Sequence, residues 1–327
     1  MTPEDRLIEK LREVAGEGSD VKVGIGDDAA VLRREGGDLV ITTDVLVESV
    51  DFSPQEEAAV IGRRAFSVNA SDLAAMGARP EHFLLAIAFP SGRGPEFALA
   101  VVRGAVERGR EFGATLVGGD ISRAPVVMVA VTLWGRPEHE PLRRSGARPG
   151  EALFVTGFPG RAAAGLWLTR HPDAAVPPGS ASELLAALRD PEPRVALGRR
   201  LGRERLASAA IDVSDGLGID AGRLARASGV RLVLEASRLP VSPALSACAR
   251  AAAVDPLDWI VSGGDDYELL LTAPEPAEPA LARAARDNGV ALTRIGRVEP
   301  GEGAALVTGT RTVEISSLGY DHLEAGG

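Results

Sequence analysis

Residues 209–235 read AAIDVSDGLGIDAGRLARASGVRLVLE. The run opens as an apolar strand over 209–213, breaks at Ser214-Asp215-Gly216, continues as a helix over 217–227 and returns to an apolar strand over 230–235. Strand, tight turn, helix and strand in this order specify mixed α/β architecture. One residue does not belong to that pattern. Asp212 sits inside the first strand, where an unpaired carboxylate costs several kcal/mol unless it is paired or holds a metal. Ser214 or Asp215 can cap the following helix, but a cap accounts for one of them and leaves Asp212 unexplained.

The same alternation extends outward. Downstream, strands are expected near 267–272, 291–296 and 311–315; upstream, a strand at 152–156, a helix at 161–169, a Pro/Ala-rich excursion over 173–192 and a helix at 194–206. The N-terminal half predicts helices at 4–15, 55–76 (closed by Gly77 and Pro80) and 95–112, with strands at 38–44, 82–89, 115–117 and 126–134. The polar, turn-rich segment 135–150 between the halves is the expected boundary, giving domains at 1–137 and 148–327.

Acidic residues recur where apolar runs end. Asp27-Asp28 follows Gly-Ile-Gly. Thr42, Thr43 and Asp44 close a strand, and period-two alternation puts Thr42 and Asp44 on one face and Thr43 on the other, where a backbone carbonyl is its contribution. Asn69 and Asp72 share one face of a helix that is apolar around most of its circumference, so the helix is expected to be buried and to aim both groups at one point; the alternative there is an ion pair with Arg63 or Arg64. Gly118-Gly119-Asp120 follows a strand, where backbone N–H groups can approach a phosphate. Gly263-Gly264-Asp265-Asp266 completes the series. Hard oxygen ligands in this number suit Mg²⁺, which in enzymes usually accompanies phosphates. Each motif alone also reads as an ordinary turn or cap.

Composition excludes several classes. The chain has 327 residues, 45% of them hydrophobic, and a formal net charge of -10 without a long basic run, which argues against nucleic acid as a partner. No apolar run reaches the ~18 residues of a membrane span, and the polar N-terminus is not a signal peptide, so a cytoplasmic protein is expected. Cys248 is the only cysteine, which removes internal disulfides and cysteine-based zinc sites. The four histidines, His82, His139, His171 and His322, lack metal-ligand spacing and read as structural or surface residues. Lys10 and Lys22 are the only lysines, so neither a Walker A loop nor a protein-kinase phosphate lysine can be built. A phosphoryl-transfer site here must rely on metal ions and arginine.

Taken in order, GIGDDAAV (24–31), TTDVLVESVDF (42–52), NASDLAAMGARP (69–80), VGGDISR (117–123), RSGARPGE (144–151), AIDVSDGLGID (210–220), SGGDDYELL (262–270) and GYDH (319–322) resemble the thiamine-monophosphate kinase family, within the aminoimidazole ribonucleotide synthetase-like ATP-binding superfamily. The resemblance spans nearly the whole chain. It implies a two-domain α/β (α+β) fold, a homodimer joined through the N-terminal sheet, and transfer of the γ-phosphoryl group of ATP to thiamine monophosphate with several Mg²⁺ ions. By position it implies Asp28, Thr42, Thr43, Asp44, Asp72, Asp120, Asp212 and Asp215 as Mg²⁺ ligands, and Gly119, Asp120, Arg144 and Ser214 at ATP. Asp51, Asp265 and Tyr320 fall to the substrate, and no residue is implied as general base. The alternatives are another ATP-dependent synthetase of the superfamily, acting on a purine-pathway amide or selenide, and a non-catalytic binding protein stabilised by divalent metal.

Overall fold

The computed structural model describes residues 1–15 and 18–323. Its first part runs α1 (Pro3–Ala15), β1 (Val21–Val23), β2 (Ala30–Leu32), β3 (Leu39–Val47), α2 (Ala58–Ala75), β4 (Ala78–Phe89), α3 (Gly94–Glu111), β5 (Thr115–Arg123) and β6 (Met128–Pro137). The second runs β7 (Ala152–Thr156), α4 (Arg161–Arg170), α5 (Pro178–Arg189), α6 (Val195–Glu204), β8 (Ala209–Val213), α7 (Leu217–Ser228), β9 (Arg231–Glu235), α8 (Pro243–Ala252), α9 (Pro256–Ser262), β10 (Glu268–Ala273), α10 (Glu278–Asp287), β11 (Leu292–Glu299), β12 (Gly303–Thr308) and β13 (Arg311–Glu314). Six strands form one sheet in the order β1-β2-β3-β6-β4-β5, and seven form the other in the order β13-β12-β9-β11-β7-β10-β8. Among the described residues only β4/β5 and β9/β12 form parallel ladders; the remaining ladders are antiparallel. The fold is mixed α/β with two sheets. Among the described residues no helix is long and apolar enough to cross a membrane.

Helix α2 is the axis on which the site is built. Thirteen of its eighteen residues are buried, because it packs on β3, β4 and β6, on α3, and on α6 and β8 of the second sheet's layer. Gly62 and Gly104 permit the α2–α3 contact: a Cβ on Gly62 would stand 1.8 Å from the Val101 carbonyl oxygen, and one on Gly104 would stand 2.0 Å from that of Ala59. A helix enclosed this way aims its polar residues into protein, so Ser67, Asn69 and Ser71 must find partners inside. The strands β7, β8 and β10 are uniformly buried for a related reason. Their alternate residues enter two different cores: Phe154, Ala210, Leu269 and Leu271 face the α2 side, whereas Leu153, Val155, Ile211 and Leu270 pack with α4, α7 and α8.

Several sequence expectations shift. Pro80 does not stop α2; Gly77 does, at φ +67°, and Pro80 lies in β4 beside an irregularity in its pairing with β6. β5 runs through Gly118-Gly119-Asp120 to Arg123, so those glycines lie in a strand and form no turn. The Pro/Ala-rich excursion contains α5, with proline in the first turn and Leu184 and Leu188 buried. β12 was not expected at all.

Candidate active site

Asp72 and Asn69 on α2 engage the two same-face residues of β3. The Thr42 hydroxyl donates to Asp72 Oδ2 at 2.6 Å, and the backbone N–H of Asp44 donates to Asn69 Oδ1 at 3.1 Å. A three-residue step on a helix thus meets a two-residue step on a strand. Within the same turn of α2, Ser71 Oγ donates to Asp212 Oδ2 at 2.7 Å, which ties α2 to β8. Arg144 completes the group by directing Nε and one terminal nitrogen at Asp28 Oδ1, at 3.1 and 2.7 Å. Neither Arg63 nor Arg64 reaches Asp72: Arg63 pairs with Glu111 and Asp190, and Arg64 with Asp265.

Carboxylate oxygens of Asp28, Asp72 and Asp212 lie within 4.8 Å of one another. Burial, reinforced by the neighbouring carboxylates, holds Asp72 and Asp212 well above the usual carboxylate range, and burial raises Asp28 despite Arg144. Asp28 Oδ2 is buried without a hydrogen-bond partner. Three acids with one arginine on them leave negative charge uncompensated in a low-dielectric space, and hydroxyl-supported carboxylates are the donor set of a hard divalent cation. The residues fit Mg²⁺. Asp44 lies beside them with its carboxyl raised to about 6 by burial and by the charges of Asp215 and Asp51.

Asp44, Asp72, Asp212 and Asp215 line a cleft of about 1160 Å³ together with Asp51, Asp265 and Tyr320. This exceeds the ~300–1,000 Å³ of a single drug-sized site and leaves room for two ligands. At its floor, Ser214-Asp215-Gly216 turns from β8 into α7. Neither Ser214 nor Asp215 caps α7. Instead Asp220, in the first turn of the helix, reaches back to accept all three backbone N–H groups of 214–216 at 3.0–3.2 Å. Burial, with Asp215 nearby, raises Asp220 to about 7. Arg223 bridges Asp215 and Asp220 and keeps the Asp215 carboxylate at the cleft.

Asp265 is held in a strained backbone. It and Tyr267 have φ of +69° and +51°, uncommon for residues with a side chain. The strain is fixed by the Asp265 N–H donating to the Ser214 carbonyl at 2.6 Å, by Arg64 on Asp265 Oδ1 at 2.8 Å, and by the Tyr267 hydroxyl on the same oxygen at 3.1 Å. Arg64 also donates to the Asp51 carbonyl at 2.6 Å, and the Val47 N–H donates to Asp51 Oδ2 at 2.7 Å, so Asp51 and Asp265 are set by one arginine. Tyr320 stands at the cleft edge with its N–H on the Asp215 carbonyl at 2.8 Å.

Asp28, Thr42 and Arg144 do not line the cleft but join its Asp72 and Asp212 from behind. Three further expected site residues are brought neither to the cleft nor to that group. Thr43 faces the opposite side of the first sheet and bonds Thr132 Oγ1 at 3.0 Å and the Val131 carbonyl at 3.1 Å. Gly119 and Asp120 lie on edge strand β5, three strands from β3 and therefore ~14 Å away. The register Asp120–Ala86–Ala130–Val45 puts Asp120 on the Thr43 face. Gly119 is required sterically, since a Cβ there would lie 1.8 Å from the Leu85 carbonyl oxygen. Sequence reasoning missed Asp220, Arg223 and Tyr267. Asp220 carried a readable signal, an acid at the start of a helix whose preceding turn leaves N–H groups free.

Both sheets belong to one class of protein. Residues 26–136 match the N-terminal domain, and residues 148–309 the C-terminal domain, of AIR synthase related proteins. Within that class the chain belongs to the thiamine-monophosphate kinase family. It is 37% identical over 305 residues to thiamine-monophosphate kinase of Salmonella typhimurium, covering 93% of this chain and 92% of that one. It is also 37% identical over 323 residues to the enzyme of that name from Caulobacter vibrioides, covering 97% and 90%. The solved structure of AaThiL complexed with AMPPCP and TMP superposes with a TM-score of 0.83 at 31% identity, covering 93% of each chain.

Proposed function

We propose that this protein phosphorylates thiamine monophosphate, moving the γ-phosphoryl group of ATP onto it and releasing thiamine diphosphate and ADP. The observation that carries the reading is one cleft lined by Asp72 and Asp212, which form a group with the buried Asp28, and by Asp51, Asp265 and Tyr320. Asp28, Thr42, Asp44, Asp72, Asp212 and Asp215 are the residues that would hold Mg²⁺. Bound there, several Mg²⁺ ions would supply the positive charge that lets two polyanions meet in line and that stabilises the transferring group. Arg144 and Ser214 serve the nucleotide phosphates, with Arg144 kept charged by its buried contact with Asp28. The acceptor phosphate is already ionised near neutral pH, its second pKa being about 6. No side chain has to remove a proton, and none is assigned that role. Tyr320 offers its ring to the cationic thiazolium beside the acids Asp51 and Asp265.

We also propose a homodimer, with residues 1–137 as the domain that joins the two copies and residues 148–327 as the second domain. Exposed Val45, Leu84 and Met128 project from the sheet face that α2 and α3 leave uncovered, and a second copy would bury them. Thr43 and Asp120 share that face, so their roles at metal and ATP depend on the dimer. The reaction is placed in the cytoplasm, where ATP is available. ADP release measured with and without thiamine monophosphate tests the reading. Release that requires it is expected; release that instead requires formylglycinamidine ribonucleotide would make the chain a purine-pathway synthetase, and no turnover with either would make it a binding protein.

A further inference from the structure

The chain is poor in aromatic residues, with three tryptophans and two tyrosines. Four of these five, Trp167, Trp259, Tyr267 and Tyr320, line the one cleft. The tyrosines accompany the acids Asp51 and Asp265, but the tryptophans have no part in the chemistry described so far. They come from α4 and α9 and stand 6.1 Å apart between ring centroids at an angle of 50°. Trp167 is braced by His171, which stacks on it at 4.3 Å and 15°. The His171 ring is itself held by a 2.9 Å hydrogen bond from Nδ1 to the Trp167 carbonyl; a carbonyl only accepts, so Nδ1 carries the proton.

Both indoles are only partly buried although each has an apolar core beside it. The residues of α4 that line the cleft with Trp167 are Ala162, Ala163, Leu166 and Arg170, none of them acidic. Partly exposed aromatic rings, with no acid among the cleft-lining residues of α4, suit a flat neutral ring better than a cationic group.

We propose that Trp167 and Trp259 form a stacking platform that binds the neutral aminopyrimidine ring of the substrate and so fixes which end of that molecule faces the acids. This rests on the thiamine-monophosphate reading given above. The substrate then lies along the cleft with its phosphate at the acids, its cationic ring between Tyr320 and Asp51/Asp265, and its neutral ring on the indoles. His171 acts through Trp167 as a positioning residue.

The test compares Trp167→Ala and Trp259→Ala with Trp167→Phe and Trp259→Phe in steady-state kinetics, and follows intrinsic fluorescence while thiamine monophosphate is added to the wild-type protein without nucleotide. Each alanine variant should raise KM for thiamine monophosphate about tenfold, consistent with the loss of one aromatic contact. KM for ATP should stay within about twofold. The phenylalanine variants should return KM to within about threefold of wild type, which separates loss of a ring from loss of the fold. Wild-type fluorescence should change saturably with substrate, and the change should vanish in the Trp167→Phe, Trp259→Phe double variant, where Trp134 alone remains. Wild-type turnover with unchanged KM in both alanine variants, or a fluorescence change that survives in the double variant, would overturn the platform and leave the kinase reading standing. No wild-type turnover of thiamine monophosphate would overturn both.

Discussion

Asp212 places a carboxyl group in a fully buried strand, and the contacts around it explain why the sequence tolerates one there. Ser71 supplies one hydrogen bond, but Asp28 and Asp72 lie close enough to repel it. Without a cation the group is an electrostatic liability. Asp212→Asn should therefore lower kcat by at least about 10²-fold, the usual cost of removing a key electrostatic group. The metal-free melting temperature should be unchanged or higher, because a repelling charge is gone while the Ser71 contact can persist; a purified variant with wild-type kcat would count against the assignment. At the same scale, Tyr320→Ala should weaken thiamine-monophosphate binding by about 0.5–2 kcal/mol and leave ATP binding largely intact. Equal loss for both ligands in binding titrations would move Tyr320 out of the substrate's place. Much of this was legible residue by residue, since an acid amid apolar neighbours, as at Asp72 and Asp212, shows in any one-dimensional reading. The pairing of Arg64 with Asp265 was not. Two hundred residues separate the partners, and nothing local to Arg64 distinguishes it from Arg63, which turns to Glu111 and Asp190.

Among the elements, α2 sets the precision of the site, because it fixes β3 through Asn69 and Asp72 and fixes β8 through Ser71. Its seat depends on the close approach to α3. Gly62→Ala should force the helices apart and destabilise the protein by ~1–3 kcal/mol, the range for overpacked cores. Activity should fall as the Thr42 and Ser71 contacts loosen. Denaturant unfolding that gives the wild-type midpoint would show that the helix pair does not constrain the fold. The apolar, all-round character of α2 was visible in its composition, and so was its burial. Helix α5 was hidden by the prolines at 177 and 178 that begin it, which read as loop until the buried Leu184 and Leu188 show what the segment packs against. β5 was cut short for a comparable reason: Gly118-Gly119 looks like a turn, and only the nearness of the Leu85 backbone shows that a strand needs glycine there.

The whole molecule divides its acids between a cleft and an open sheet face, and no local pattern announces that division. It follows from the strand order β3-β6-β4-β5, which puts Asp120 three strands from Thr42 and on the opposite side. Charge concentration has a global consequence for stability. Burial raises Asp27 and Asp44 to about 6 and Asp220 to about 7, above the ~4 of an unfolded aspartate. Folded values above unfolded ones mean that their contribution to stability is complete below about pH 4 and is lost as pH rises through 6 to 7. Acids held low by hydrogen bonds, Asp5 by the Thr2 N–H and then Arg226, Glu138 by Arg199, act below that window. The melting temperature of the metal-free protein should therefore fall from pH 5 to pH 8. Added Mg²⁺ should raise it more at pH 8 than at pH 6, since the ligands must be deprotonated to bind. A metal-free melting temperature that rises over this interval would contradict the placement of these carboxyls. The measurement that bears most directly on the whole account is the amount of thiamine diphosphate formed per ADP released as Mg²⁺ is titrated into a mixture of protein, ATP and thiamine monophosphate. One thiamine diphosphate per ADP, with neither formed when the metal is chelated, is the result expected; ADP released at the same rate without thiamine monophosphate, or without Mg²⁺, would contradict it.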